Sequence, residues 1–341
     1  MSIRSRLKAR TRLRKVVHNI WPPKPKPLIL MYHRVEDDPI DHWGLAVSPV
    51  RFEEHLQVLR RTRYPLPLTE FVRALMAGAL PPNAVALTFD DGYVDNLLFA
   101  KPRLAAADVR ATVFLTTGYV DRSEAFWWDE LAKLILLADG PQSFEILVRG
   151  EPLCLDFGTE LPAREDGSTP AASLPKRRAA LWTLREALRF LGEAERRSIM
   201  IQLRLISAGR GYNASLGRAM TSDEVRALVM DGLVSIGAHT VTHPVLAGLS
   251  AAACGREIIE SKLACESLIG APVTTFAYPY GDFDAGAREA VKAAGFTFAC
   301  STRPSPATAT SDVFALPRIY VPNLNGDAFE HALRWAAALV D

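Results

Sequence analysis

No stretch of 18 or more apolar residues occurs among the 341 of this chain, so no helix long enough to span a bilayer is expected. The basic residues near the start are not followed by an apolar run of roughly 7–15 residues, so no Sec-type signal peptide is expected either. Cysteine is scarce. Cys154, Cys254, Cys265 and Cys300 show no C-x-x-C pairing or short ligand spacing. They imply no disulfide framework, and a reducing, cytoplasmic compartment fits best. No internal repeat is present.

Acidic residues are missing from the first thirty positions, which hold nine Lys or Arg. Subtracting these nine from the forty in the chain leaves 31 basic against 38 acidic side chains, a net of −7 for residues 31–341. That remainder argues against a nucleic-acid partner. Within residues 1–21, Leu13, Val16, Val17, Ile20 and Trp21 fall at helical spacing among the charges. The tail therefore reads as a basic amphipathic helix suited to a peripheral position on an anionic membrane. A solvated tail and a transit peptide are the alternatives. The proline-rich stretch 22–27 reads as a stiff linker.

The rest is ordinary globular composition, 49% hydrophobic and 23% charged. Short apolar strand-like runs alternate with helical patterns. Ser48 and Pro49 predict a helix to about Arg61 by N-cap and Pro-at-N1 preference. Further helices are expected over 69–77, 96–106, 251–269 and 285–294. Thr221 and Glu224 form a capping-box pattern ahead of 225–230. Strands are expected over 85–89, 111–115, 233–238, 273–277, 296–301 and 315–321. Such alternation implies a parallel sheet, open or closed. Residues 122–220 break the pattern and read as an insertion. It holds a helix from Phe126 to about Ala138, a hairpin about Arg149 and Gly150, and two helices over 176–191 and 193–207. A lid, a partner surface or a dimer contact are its candidate roles. Four segments result: a tail (1–27), a first domain part (28–121), the insertion (122–220) and a second part with a C-terminal helix (221–341).

Two segments carry chemistry. Residues 87–93 read Leu-Thr-Phe-Asp-Asp-Gly-Tyr, which places Asp90 and Asp91 at the C-terminal edge of a buried strand. In parallel α/β folds that edge is where ligands bind. Adjacent strand side chains diverge, so the two acids should differ in role: one can hold a metal while the other faces a water. Residues 239–244 read His-Thr-Val-Thr-His-Pro after another strand. His239 and His243 are four apart, the spacing of one face of a helical turn, and two imidazoles so placed suit zinc. Thr240 stands where a zincin needs glutamate, so that class is rejected. A third segment, Tyr278-Pro279-Tyr280-Gly281, puts rigid aromatics on a turn, as a sugar-binding wall requires. Trp127 and Trp128 are further candidates for stacking on sugar faces.

In this order the three segments resemble the NodB homology domain of the polysaccharide deacetylases, carbohydrate esterase family 4. The resemblance covers roughly 27–121 and 221–325. It implies a distorted (β/α) barrel of about seven parallel strands, here with a mostly helical insertion. It implies Asp90 as general base, Asp91, His239 and His243 as ligands of a divalent metal, and a backbone amide near Tyr93 as oxyanion donor. Zinc is the chemical default; cobalt, nickel or iron also suit two histidines and a carboxylate. Two departures stand out. Many members carry an arginine just before the proline of the third motif, which is absent here; Arg318 is the candidate to orient Asp90 instead. Many carry a late histidine as catalytic acid, whereas this chain has Tyr32-His33 after its first strand. That pattern resembles the branch acting on poly-N-acetylglucosamine and implies His33 as general acid. The expected function is removal of acetyl groups from N-acetylated sugars of a cell-surface polysaccharide or its precursor. An O-deacetylase, a cyclic-amide hydrolase and a catalytically silent carbohydrate-binding protein are the alternatives.

Overall fold

The computed structural model describes residues 25–38, 41–136, 143–157, 174–206 and 217–336. The expected tail helix over 1–21 and the first half of the proline-rich linker, 22–24, lie outside these residues. Among the described residues, no helix is long and apolar enough to cross a membrane.

The core is a curled parallel sheet. Its main strands are β1 (Leu28–Tyr32), β5 (Ala84–Phe89), β6 (Ala111–Leu115), β9 (Val234–Ala238), β10 (Thr275–Ala277), β11 (Phe298–Cys300) and β12 (Ile319–Tyr320). They run in the order β11-β10-β9-β6-β5-β1-β12, and every pairing is parallel. All residues of β1, β5 and β6 are buried. Strands covered on both faces must be apolar throughout, which is why these segments read as continuous runs rather than alternations. The ends of the sheet approach each other. Leu316 bridges Cys300 of β11, and three residues on β12 pairs with β1. Seven parallel strands thus form a distorted barrel, as expected. A further short strand, β4 (Tyr64–Pro65), pairs with the start of β5 where β6 has not yet begun. The expected strand over 315–321 is shorter than its pattern suggests. The Arg318 side chain turns into the sheet interior there and leaves two paired residues, Ile319 and Tyr320.

Helices link the strands with the caps the sequence announces. Helix α1 (Pro49–Thr62) starts at Ser48, whose side chain accepts from the Arg51 amide. Helix α2 (Leu68–Met76) follows β4. After β5 the chain first makes a π-turn over Asn96–Ala100, then α3 (Lys101–Ala107). That turn replaces the first half of the expected α-helix, and widened turns of this type recur next to functional sites. Helix α7 (Ser222–Val229) carries the full Thr221–Glu224 capping box. Helix α8 (Ala251–Ile269) ends at Gly270, whose φ of 67° gives the left-handed C-cap that glycine favours. Helices α9 (Ala285–Ala293) and α10 (Gly326–Ala336) complete the barrel.

The segment between β6 and α7 forms a second apolar cluster. It contains α4 (Trp127–Leu136), an antiparallel hairpin of β7 (Ser143–Val148) and β8 (Glu151–Asp156), α5 (Leu174–Leu188) and α6 (Glu193–Ile206). Arg149 and Gly150, at φ 54° and 81°, make the hairpin turn. Trp127, Trp128, Leu131, Leu181 and Leu184 pack here with Tyr93 and Tyr119 from the barrel. The cluster therefore sits on the edge of the barrel that carries the acids. The remaining short pair, β2 (Arg34–Val35) and β3 (Ala46–Val47), lies on the loop beyond β1. All four cysteines are free thiols.

Candidate active site

Four strand ends meet at one edge of the barrel. His33 follows β1, Asp90 and Asp91 follow β5, His239 follows β9, and Tyr278 to Gly281 follow β10. His33, Asp90, Asp91, His239, His243 and Tyr280 line a single cavity of about 210 Å³.

Asp90 is held by a fork. Arg318 donates through Nη1 and Nη2 to its two carboxylate oxygens, at 2.6 and 2.7 Å. The same guanidinium reaches Thr88 Oγ1 at 3.2 Å and the Ser301 carbonyl at 2.9 Å. Arg318 has no exposed surface. Burial pushes the Asp90 carboxyl up, but the charge and hydrogen bonds of Arg318, together with His239 and His33, outweigh it and hold the pKa down at about 2. A planar, bidentate, desolvated pair of this kind fixes orientation as well as charge. The segment before Pro279 lacks an arginine, and the partner of Asp90 comes from the far end of the chain.

Asp91 points elsewhere, as adjacent strand-end residues must. It adopts φ 72°, and Gly92 follows at 87°. A Cβ on Gly92 would sit 2.5 Å from Leu115 Cδ2, so both φ and space require glycine there. Asp91 Oδ1 lies 3.6 Å from His239 Nε2 and 3.4 Å from His243 Nε2. The ligand atoms of the three residues lie within 4.8 Å of one another, and all three side chains are buried.

The two histidines are not on a helical turn. Thr240 and His243 take φ of 65° and 57°, so the segment is a bend and the expected helical geometry is corrected. Pro244 and the left-handed residues rule out a continuous turn. The loop is instead held from outside. Glu257, on α8, accepts from the Val241 and Thr242 amides at 2.8 and 2.9 Å and from the Thr242 hydroxyl at 2.7 Å. Gly118 donates to the Val241 carbonyl at 2.8 Å, and a Cβ there would come within 2.6 Å of that oxygen.

The trio fits a divalent ion on its own chemistry. His239 Nδ1 lies 2.7 Å from the Ala277 carbonyl, which sets this nitrogen as donor and leaves Nε2 as a lone pair aimed at the trio. Burial lowers the pKa of both histidines, keeping them neutral, as ligation demands. Burial, then the charges of Asp90 and Asp129, push the Asp91 carboxyl well above the usual range. Its Oδ1 has no hydrogen-bond partner. A cation among these atoms would answer that uncompensated oxygen.

His33 shares the cavity, and its Nδ1 is buried without a partner. Burial lowers its pKa to about 4. Tyr93 is tied into the wall. Its hydroxyl donates to Asp129 Oδ2 at 2.7 Å and accepts from Trp128 Nε1 at 2.8 Å. The chain at Tyr93 pairs with Ala219 in antiparallel fashion. That pairing uses the Gly92 carbonyl and the Val94 amide, both at 3.1 Å. The Tyr93 N–H therefore faces away from residues 218–220.

The aromatic candidates divide. Trp128 lines the cavity with its ring 4.7 Å from that of His243, and Tyr280 lies 4.6 Å from the same ring. Tyr278 is fully buried and stacks on Phe283 at 4.1 Å, away from the cavity. Pro279 is buried in the turn. Trp127 is packed under Arg196, 5.1 Å from its ring centre, and does not line this cavity. Sequence reasoning missed His42, Trp43, Trp182, Arg185 and Thr302, which also line it. No motif marks them. A tryptophan in an otherwise polar helical pattern at 182 was the one available signal. Asp129, whose carboxyl burial raises to about 6, was also missed.

Comparisons with known proteins match the segments that carry these residues. A family model described as polysaccharide deacetylase matches residues 77–139 and 207–299, which include Asp90, Asp91, His239 and His243. YxkH of Bacillus subtilis (strain 168), whose name proposes a polysaccharide deacetylase, is 27% identical over 111 residues, 32% of this chain and 39% of that protein. The match thus spans about two-fifths of the length of that relative. Among solved structures, the Streptococcus pyogenes deacetylase PplD in complex with acetate superposes with a TM-score of 0.57 at 19% identity, over 92% of this chain and 99% of that one. IcaB from Ammonifex degensii gives 0.56 at 18% identity, over 92% and 97%. At such identities these two likenesses speak for the fold. The family match shows a polysaccharide deacetylase domain of the NodB type, carbohydrate esterase family 4, over residues 77–139 and 207–299 of this chain, and hydrolases of that family act on the amide bonds of acetylated sugars.

Proposed function

We propose that this protein is a metal-dependent N-deacetylase that removes acetyl groups from N-acetylated amino sugars of a polysaccharide or its precursor, releasing acetate. The observation that carries the reading is the pairing of two kinds of carboxylate at one strand end. Asp90 is locked ionised by Arg318, while Asp91 turns to His239 and His243. A protein of similar fold from Aggregatibacter actinomycetemcomitans is a de-N-acetylase, which supports the same chemistry.

Asp91, His239 and His243 would hold the ion, with zinc the default for two imidazoles and a carboxylate. When bound, a divalent ion there supplies Lewis acidity, polarising the acetamide carbonyl and making nearby water more acidic. The protein's own groups do the rest. Asp90 is ionised at neutral pH and accepts the proton of the attacking water. Arg318 keeps the carboxylate aimed and does not compete for that proton. The Tyr93 N–H is the donor for the oxygen on which negative charge develops. As the carbonyl carbon gains the hydroxyl, the C–N bond breaks, and the sugar nitrogen must gain one proton. His33 is the group for that transfer. With its pKa near 4 it enters the reaction neutral; the proton that Asp90 takes from water is relayed to His33 and from there to nitrogen, so both groups end in the state in which they began. The products are acetate and a free sugar amine.

Acetate release from chitooligosaccharides by the metal-loaded protein tests the reading. Asp90→Asn should lower kcat by about 10²–10⁴ with metal content unchanged. Full activity in that variant refutes the base assignment, and no acetate from any acetylated glycan refutes the function.

A further inference from the structure

The segment inserted between β6 and α7 reaches the active cavity through two helices: α4 supplies Trp128 beside His243, and α5 reaches the outer wall. α5 places Trp182 and Arg185 in the cavity wall, opposite Trp43 and His42 from the loop between β2 and β3. The two indoles meet edge to face, with ring centres 5.5 Å apart. The Arg185 guanidinium lies 5.3 Å from both rings. Trp182 keeps 50% of its surface exposed, whereas Trp127 and Trp128 of the same segment keep 5% and 6%. Packing alone would bury Trp182 as it buries those two. Beside it, His42 Nε2 is buried with no hydrogen-bond partner. No hydrogen bond or ion pair joins any of these four residues to the Asp91–His239–His243 trio, so the catalytic chemistry does not account for them.

An open indole face, an arginine fixing the indole cluster and an unpaired ring nitrogen are the parts of a sugar site. The apolar C–H face of a pyranose packs on an indole, and a hydroxyl at its rim needs a polar partner. We propose that Trp182, Trp43, His42 and Arg185 form a subsite for the sugar ring next to the one being deacetylated, so that the protein prefers oligomers to a single N-acetylated sugar. This rests on the deacetylase reading above and deepens it. It also gives the inserted segment a role: α5 sets the minimum length of the substrate.

The test compares kcat/KM for acetate release from N-acetylglucosamine and from its short β-linked oligomers. Wild type should gain roughly 2–10-fold from monomer to oligomer, the range of one aromatic contact. Trp182→Ala should lose that gain, through KM rather than kcat, with a larger loss on the oligomer than on the monomer. Trp182→Phe should retain most of it. His42→Ala, on a separate loop, tests the same gain should Trp182→Ala unfold early. An unchanged length dependence in both alanine variants overturns the subsite, as do equal losses on monomer and oligomer. Wild-type acetate release with no length dependence overturns the subsite and leaves the deacetylase reading intact. No release from any of these glycans overturns that reading and the subsite with it.

Discussion

Replacing Arg318 with methionine tests the electrostatic centre of the site most directly. The side chain has no exposed surface and makes four hydrogen bonds: two to Asp90, one to Thr88 and one to the Ser301 carbonyl. Methionine fills much of the volume but leaves the Asp90 carboxylate buried without its counter-charge. Breaking a buried pair from one side costs about 3–5 kcal/mol, and the orphaned carbonyl adds to that. The variant can relieve part of the cost only by protonating Asp90. Burial already pushes that carboxyl up, and Arg318 is the largest influence holding it at about 2. Without Arg318 the pKa should therefore rise above its ordinary value of ~3.9. The sign of the pH dependence follows. The folded pKa is depressed, so the pair's contribution is fully present above the unfolded value and is lost as pH falls through about 2. Urea unfolding of the metal-free protein should show a large gap between wild type and Arg318→Met at pH 7, shrinking below about pH 4. Arg318→Lys keeps the charge but cannot fork, and should fall between them. In the metal-loaded enzyme the acid limb of kcat/KM should move to higher pH in Arg318→Met. A variant within about 0.5 kcal/mol of wild type at pH 7, with the same gap at every pH, would falsify this account.

Two further substitutions probe the supports of the site. Glu257→Gln removes the charge that gathers the Val241 and Thr242 amides, and should weaken metal binding by about 10–100-fold, read by competition with a chromophoric chelator. An unchanged affinity would mean that the loop keeps its shape without this anchor. Glu224→Ala dismantles the capping box of α7 and the two hydrogen bonds from Arg218, at 2.7 and 2.8 Å. It should cost about 1–2 kcal/mol at neutral pH by denaturant melting. Hydrogen bonding from Arg218 is the main cause that lowers the Glu224 carboxyl to about 2. The penalty should thus be complete above ~4.3 and fade as pH falls through about 2; a gap that stays constant to low pH contradicts the assignment.

Much of this protein is legible in one dimension because its signals are local. Ser48, Pro49, Thr221, Glu224 and Gly270 mark helix ends through hydrogen bonds and dihedral angles spanning three or four residues, and the structure places them there. Buried parallel strands are short unbroken apolar runs, so β1, β5, β6 and β9 can be read almost to the residue. The acids and histidines at their ends stand out because charged and ligating residues rarely follow such runs without a task. What failed was backbone detail decided by distant partners. His243 lies four residues from His239, and spacing alone suggests a helical turn. Glu257 on α8 and the close approach of Gly118 hold a left-handed bend instead.

The sequence by itself determined which residues can do chemistry here: a carboxylate pair, two imidazoles and a histidine just after the first strand. The tertiary structure decided which of them work together. Arg318 is 228 residues from Asp90 in the chain, and no periodicity could join them. Closing the sheet brings the end of the chain beside its first strand, and a desolvated fork then fixes one carboxylate as ionised while its neighbour turns to the histidines. Trp182 and Arg185 look like ordinary members of a surface helix until α5 is packed over the cavity. Their role, like that of Arg318, depends on distances through space, and only the folded chain sets those.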